Sequence, residues 1–127
     1  LLGLRAGERI WLREVLLLAD GRPVVFARSI LPRRNVRGAW NLFHGIGSRP
    51  LGEALFSDPA ISRTPLSCRR FDVRDARYHR ARSALARHEA SIPLPRVLWA
   101  RRSLFRLHGR ALLVCEFFLP AIFELPQ

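Results

Sequence analysis

The segment from Arg9 to Leu18, RIWLREVLLL, constrains the fold most, because it is apolar on both sides of a predicted strand. Successive side chains of a strand point to opposite faces. One face then carries Trp11, Arg13, Val15 and Leu17, and the other carries Ile10, Leu12, Glu14, Leu16 and Leu18. A guanidinium in an apolar row is costly unless an anion lies close to it. We therefore expect a carboxylate beside Arg13, supplied by the protein or by a ligand.

Two hairpins frame the chain. The Asp-Gly pair in ADGRP joins the first strand to VVFARSIL, and Gly109 marks the turn between RVLWARRSLFRL and RALLVCEFFL. Between the hairpins, the sequence predicts a helical turn at residues 40–43, a helix from Pro50 to Ser57 with Ser48 as its N-cap, a strand over 61–73 and a helix over 74–90. This pattern predicts a single α+β domain with an antiparallel sheet covered by helices.

Glu116 repeats the anomaly of Arg13 on the second hairpin. Alternation places it in one row with Leu112, Val114 and Phe118. A carboxylate among apolar neighbours should have either a raised pKa or a cationic partner, and both conditions suit acid/base catalysis. The alternative is a buried structural ion pair, for which Arg13 is one possible partner.

The composition argues against several functions. The formal charge is +12, and all 22 basic residues are arginines, spread along strand-like segments, so we do not expect nucleic-acid binding. No apolar run approaches the roughly 20 residues that span a bilayer, and no signal peptide opens the sequence, so we expect a soluble cytoplasmic protein. The histidines share no metal-binding spacing, and the two cysteines, Cys68 and Cys115, are expected in the core. Arg101 and Arg102 must face opposite ways; we expect a solvated strand face, the alternative being that one reaches a pocket mouth.

Five stretches, in order, resemble the chorismate lyase family: WLREVLLLADGRP, ARSILP, PLGEALF, RRSLFRL and LLVCEFFLP. These bacterial enzymes make 4-hydroxybenzoate and pyruvate from chorismate for ubiquinone biosynthesis. The resemblance implies one domain over residues 1–127, with an antiparallel sheet, helices packed on one side and a ligand pocket between sheet and helices. The family's N-terminal helical segment is expected to be missing, since the sequence contains no methionine and starts at LLGLRAGERI. The stretch between Val73 and Val97 is longer than is usual in the family.

The resemblance also assigns site residues. Arg13 matches the arginine that binds the ring carboxylate, and Leu51 matches a position whose backbone N–H helps to hold it. Glu116 matches the acid that meets the ring hydroxyl and acts in proton transfer. Arg28 matches an arginine associated with a second ligand position or the exit route.

The implied activity is a cofactor-independent lyase that converts chorismate to 4-hydroxybenzoate and pyruvate. No metal, nucleotide or redox group is expected, and we expect a monomer without a nucleic-acid or membrane partner. Two alternatives stay open at this point. The same fold serves as the effector-sensing domain of some transcription regulators, although no helix-turn-helix segment is visible here. The second alternative is that the protein is a truncated paralogue of the enzyme without activity.

Overall fold

The computed structural model describes residues 7–36, 40, 51–89 and 93–124. The strands in these ranges are β1 Ile10–Ala19, β2 Arg22–Pro32, β3 Ser62–Asp72, β4 Val97–Leu107 and β5 Arg110–Phe118. The helices are α1 Arg33–Val36, α2 Leu51–Ser57, α3 Ala76–His88 and a 3₁₀ helix, Pro120–Glu124. Within the described ranges, no helix is both long and apolar enough to cross a membrane.

The strands form one antiparallel sheet in the order β1-β2-β5-β4-β3, so β5 is its central strand. Both predicted hairpins are confirmed. The two turn residues of each have a positive φ, 51° and 77° at Asp20 and Gly21 and 50° and 76° at His108 and Gly109. Left-handed backbone at both central positions is the type I′ turn, whose twist matches that of antiparallel strands.

The sheet is covered on both faces. On the face that carries Arg13 and Glu116, called here the pocket face, Leu51 and Leu55 of α2 pack with residues of α1 and the sheet. On the opposite face, called the α3 face, α3 packs through Tyr78, Ala81 and Leu85 against the sheet. The α+β class is confirmed, but the expectation of helices on one side alone is corrected. The reason is that β5 is apolar on both sides, and each side needs a cover.

The elements predicted between the two hairpins are largely present in the structure. The strand over 61–73 is confirmed as β3, the helix over 74–90 as α3, and the helix ending at Ser57 as α2. Ser48, Pro50 and residues 41–43 lie outside the described residues. Cys115 is buried as expected, whereas Cys68 is exposed, because β3 is an edge strand with little covering it. Pro65 is tolerated in β3 because the strand is at the edge and the register shifts there.

The start of α3 gives a stability test. Asp75 is the N-cap of α3, and its Oδ1 accepts a hydrogen bond from the backbone N–H of Arg77 at 2.8 Å. Replacing an N-cap aspartate by alanine leaves helix N–H groups without an acceptor and typically costs about 1 kcal/mol. We expect Asp75→Ala to lower the free energy of unfolding in urea by about that amount. Asp75→Asn keeps an acceptor and should lose clearly less; equal losses would contradict the capping role.

Candidate active site

A cavity of about 160 Å³ lies between the pocket face and α2. One water needs only about 15 Å³ of such space, so the cavity has room for a small organic molecule. Its walls are mainly apolar, and the side chains that form them include Val15, Leu17, Leu51, Leu55, Phe105 and Val114. Leu51 and Leu55 stand one turn apart on α2, so they close the cavity from the same helix face. The cavity is therefore an apolar slot between one helix and the sheet.

Arg13 lines this cavity from β1. Its register partner is Ser29 on β2, and the same row continues across the sheet through Val114 and Ser103. The side chain is partly buried, and burial lowers the pKa of the Arg13 guanidinium below its ordinary value. An arginine keeps its charge even so. The cavity thus has a permanent cation in an apolar wall.

Glu116 lines the same cavity from the central strand and faces Arg101, its register partner on β4. Arg101 Nε donates to Glu116 Oε1 at 2.8 Å, and Arg101 Nη2 lies 3.4 Å from Oε2. This contact raises the pKa of Arg101 above its ordinary value. Glu116 accordingly has a cationic partner, but that partner is Arg101 and not the Arg13 considered from the sequence. The ion pair forms part of the cavity wall, so Glu116 is also within reach of a ligand.

Arg63 is a third guanidinium in the cavity wall, contributed by the edge strand β3. Its Nε and Nη2 both donate to Ser103 Oγ, at 3.1 and 3.0 Å, and its Cζ lies 6.0 Å from the ring centroid of Phe105. Ser103 is buried, so the hydroxyl is a fixed acceptor. The guanidinium of Arg63 is therefore held over β4.

Arg28 lies away from this cavity, on the α3 face. Its Nε is 2.9 Å from Glu14 Oε2, and Arg80 of α3 donates to both oxygens of the same carboxylate, at 2.8 and 2.5 Å. The structure brings Arg13, Leu51 and Glu116 together, but it does not bring Arg28 to them. The predicted contact of Arg28 with a ligand stays a prediction that rests on the resemblance alone.

A bulge explains the position of Arg28. Near the turn, Ala19 pairs with Arg22 and Leu18 with Pro23, and continuing that register would pair Arg13 with Arg28 on one face. The register instead shifts between Leu17 and Leu18, so Arg13 pairs with Ser29. A shift of one residue moves every following side chain of a strand to the other face.

Two charged residues of the cavity wall, Arg101 and Arg63, were not assigned to the site from the sequence. Arg101 was named only in the alternative that it or Arg102 reaches a pocket mouth, and that alternative is the one the structure favours. Arg101 could have been found, since an unshifted register from the His108–Gly109 turn pairs it with Glu116. Arg63 gave no local signal, because its strand alternates poorly and has a register shift at Pro65. In the part of the chain that the structure describes, no group of three or more His, Cys, Asp or Glu side chains could hold a metal ion.

Comparison with known proteins gives the family of the chain. The family model for chorismate lyase matches residues 2–126 of the chain. The chain belongs to the chorismate lyase family. The match includes all five stretches quoted above and also the long segment between Val73 and Val97, which contains α3.

Curated members of the family are close in sequence. The chain is 69% identical over 126 residues to a probable chorismate pyruvate-lyase of Aromatoleum aromaticum, which covers 99% of the chain and 66% of that protein. It is 69% identical over 128 residues to one of Azoarcus sp., covering 100% and 66%. A third, of Thiobacillus denitrificans, is 48% identical over 121 residues, covering 95% and 62%. The chain thus spans just under two thirds of the length of these relatives.

The cluster on the α3 face gives a prediction about pH. The hydrogen bond from Arg80 is the main cause that holds the pKa of Glu14 below its ordinary value, although burial acts in the opposite direction. The pKa of the Glu14 carboxyl is thus lower in the folded than in the unfolded protein. The carboxylate therefore stabilises the fold at a pH above the pKa of the unfolded state, and this stabilisation is lost as the pH falls through the pKa of the folded state. We expect Glu14→Gln to lower the free energy of unfolding at pH 7 by about 1 kcal/mol.

To check this, the free energy of unfolding of wild type and of Glu14→Gln is measured across pH. The gap between wild type and Glu14→Gln should narrow in urea titrations below the ordinary glutamate pKa, near 4.3. Glu124→Gln removes an exposed carboxylate that pairs with Arg22 and should have a smaller effect throughout. A gap that is the same at pH 7 and in acid would contradict the assigned ion pairs.

Proposed function

We propose that the protein converts chorismate to 4-hydroxybenzoate and pyruvate, in the cytoplasm and toward ubiquinone, as a monomer without a cofactor. The observation that carries the proposal is one cavity that brings together Arg13, Glu116 and Leu51. The family membership and the names of the relatives support it. The reaction would take place in the apolar slot between α2 and the pocket face.

Arg13 would bind the carboxylate on the ring of the substrate. A guanidinium can donate two parallel hydrogen bonds to a carboxylate, and such charge-assisted bonds are stronger in an apolar surrounding. The first residue of α2 is Leu51, and N–H groups of the first turn have no acceptor within a helix. The backbone N–H of Leu51 would therefore add a donor to the same carboxylate, while its side chain covers the ring.

Glu116 would hold the ring hydroxyl and move the proton. In the reaction, the ring carbon that bears the hydroxyl loses its proton, and the ether carbon–oxygen bond breaks with its electrons going to the leaving oxygen. The proton finally resides on the enolpyruvate, which becomes pyruvate. The ring becomes aromatic, so the substrate supplies much of the driving force, and the protein contributes orientation and proton transfer.

Arg101 acts here as a positioning residue. Its Nε fixes one oxygen of Glu116 at 2.8 Å, whereas the contact to the second oxygen is long, at 3.4 Å. Oε2 therefore has capacity to accept a hydrogen bond from a ligand. A carboxylate held at one oxygen and open at the other is suited to meet a hydroxyl in a fixed orientation.

Catalysis is tested with the full-length protein and chorismate, following the release of pyruvate and of 4-hydroxybenzoate. We expect turnover by wild type and a kcat about 10²-fold lower for Glu116→Gln, because the amide can accept a hydrogen bond but cannot take a proton. Affinity for 4-hydroxybenzoate should change far less. Glu124→Gln should behave like wild type. No pyruvate from wild type would exclude the enzyme and favour a sensing domain, and normal kcat in Glu116→Gln would remove its catalytic role.

Ligand binding is tested through Arg13. We expect 4-hydroxybenzoate to raise the Tm of wild type, because a ligand that binds the folded state stabilises it. Arg13→Lys loses the second parallel hydrogen bond and should weaken binding about tenfold. Arg9→Lys makes the same change at an exposed position just before β1 and should leave the shift intact. Equal thermal shifts in wild type and Arg13→Lys would mean that the carboxylate binds elsewhere.

A further inference from the structure

The charges of the cavity exceed what a single carboxylate requires. Among the described residues that line it, three arginines stand against one glutamate, a formal excess of two positive charges. Arg101 already pairs with Glu116, and the proposed function assigns Arg13 to the ring carboxylate of the substrate. One of the three arginines then has no assigned anion. That cation is Arg63. Its hydrogen-bond acceptor is the neutral hydroxyl of Ser103, and among the described residues it makes no ion pair.

The position of Arg63 fits a second anion. Arg13 lines the cavity from β1, whereas the guanidinium of Arg63 is held over β4. These two strands are three places apart in the sheet, about 14 Å between backbones. Glu116, on the strand between β2 and β4, lies between the two cations. A ligand with a carboxylate at each end and a hydroxyl in the middle would match this order.

We propose that Arg63, oriented by Ser103, forms a second carboxylate subsite on the β4 side of the cavity, which binds the enolpyruvyl carboxylate of chorismate. The inference rests on the proposed function and extends it to the leaving group. Two of the five guanidinium N–H groups are used on Ser103, from Nε and Nη2, so Nη1 and the rest of Nη2 remain as donors. The Phe105 ring, with its centroid 6.0 Å from Arg63 Cζ, lies at the outer limit of a cation–π contact with this group.

The test compares a monoanion with a dianion. The monoanion is 4-hydroxybenzoate. The dianion is 3-(carboxymethoxy)-4-hydroxybenzoate, in which a stable carboxymethyl ether next to the ring hydroxyl stands for the enolpyruvyl group. Dissociation constants for both are measured by calorimetry with the full-length protein, together with KM and kcat for chorismate. The variants are Arg63→Gln and, as matched control, Arg69→Gln, which removes the same charge from the α3 face of the same strand.

The expected result is selective. Arg63→Gln should lower the affinity for the dianion by about 10-fold to 100-fold, because a charge-assisted hydrogen bond is lost. The KM for chorismate should rise by a similar factor. The same variant should lower the affinity for 4-hydroxybenzoate by less than about threefold. Retained binding of this ligand also shows that the pocket of the variant is intact. Arg69→Gln should change neither affinity beyond about threefold, the limit expected for a distant, screened charge.

Other outcomes overturn the subsite. Unchanged dianion affinity in Arg63→Gln, an equal loss for both ligands, or the same loss in Arg69→Gln would each do so. If Arg63→Gln binds neither ligand, the Ser103→Ala variant is used instead, because it keeps the charge of Arg63 but removes the hydroxyl that orients the guanidinium. If the ratio of the two dissociation constants in Ser103→Ala equals that of wild type, the subsite is again overturned. If the wild-type protein neither binds 4-hydroxybenzoate nor releases pyruvate, the proposed function and the subsite are both overturned. The negative results with the Arg63, Arg69 and Ser103 variants would overturn the subsite alone.

Discussion

The central strand β5 is the constraint on which the rest of the structure depends. It lies between β2 and β4 and is covered on both faces, so its two rows of side chains must both be apolar. Between Ala111 and Leu119, Glu116 is the one charged residue. It is tolerated because Arg101 stands directly opposite on β4 and because the side chain lines the cavity and is not fully buried. The position of the site in the fold follows from that carboxylate.

The two faces of the sheet use arginine differently. On the α3 face, Glu14 is shared by Arg28 from β2 and Arg80 from α3, so the charges tie the helix to the sheet. Cys115, on the same face, is buried, and burial raises the pKa of its thiol to about 11, which makes it unreactive. On the pocket face the guanidiniums outnumber the carboxylates among the described residues that line the cavity. The ion pairs of the α3 face join α3 to the sheet, whereas the lining of the cavity carries a formal excess of positive charge.

Local sequence signals predicted the hairpins and the two anomalous charges, because both depend on a period of two and on turn chemistry. Arg13 and Glu116 could be assigned to one cavity wall from alternation together with the family resemblance. The face of Arg28 could not, since it depends on a bulge that places Val24 as an extra residue in β2. Arg63 depends on the pairing of β3 with β4, two strands separated by a whole helix, and such pairing leaves no local pattern. Partners were thus predictable within the regular β4–β5 hairpin, but neither across the bulge of the β1–β2 hairpin nor across longer connections.

An arrangement with a cation on each side of a central carboxylate has a consequence for the order of events. Chorismate would be bound at two carboxylates at once, and the second contact forms at the high effective concentration that a short rigid linkage provides. Breaking the ether bond removes that linkage, so each product would occupy only one of the two carboxylate subsites. The advantage of the joint contact is lost at the moment of cleavage, because the two carboxylates no longer belong to one molecule. Binding energy would thereby favour the intact substrate over either product, so both products would dissociate more readily than chorismate.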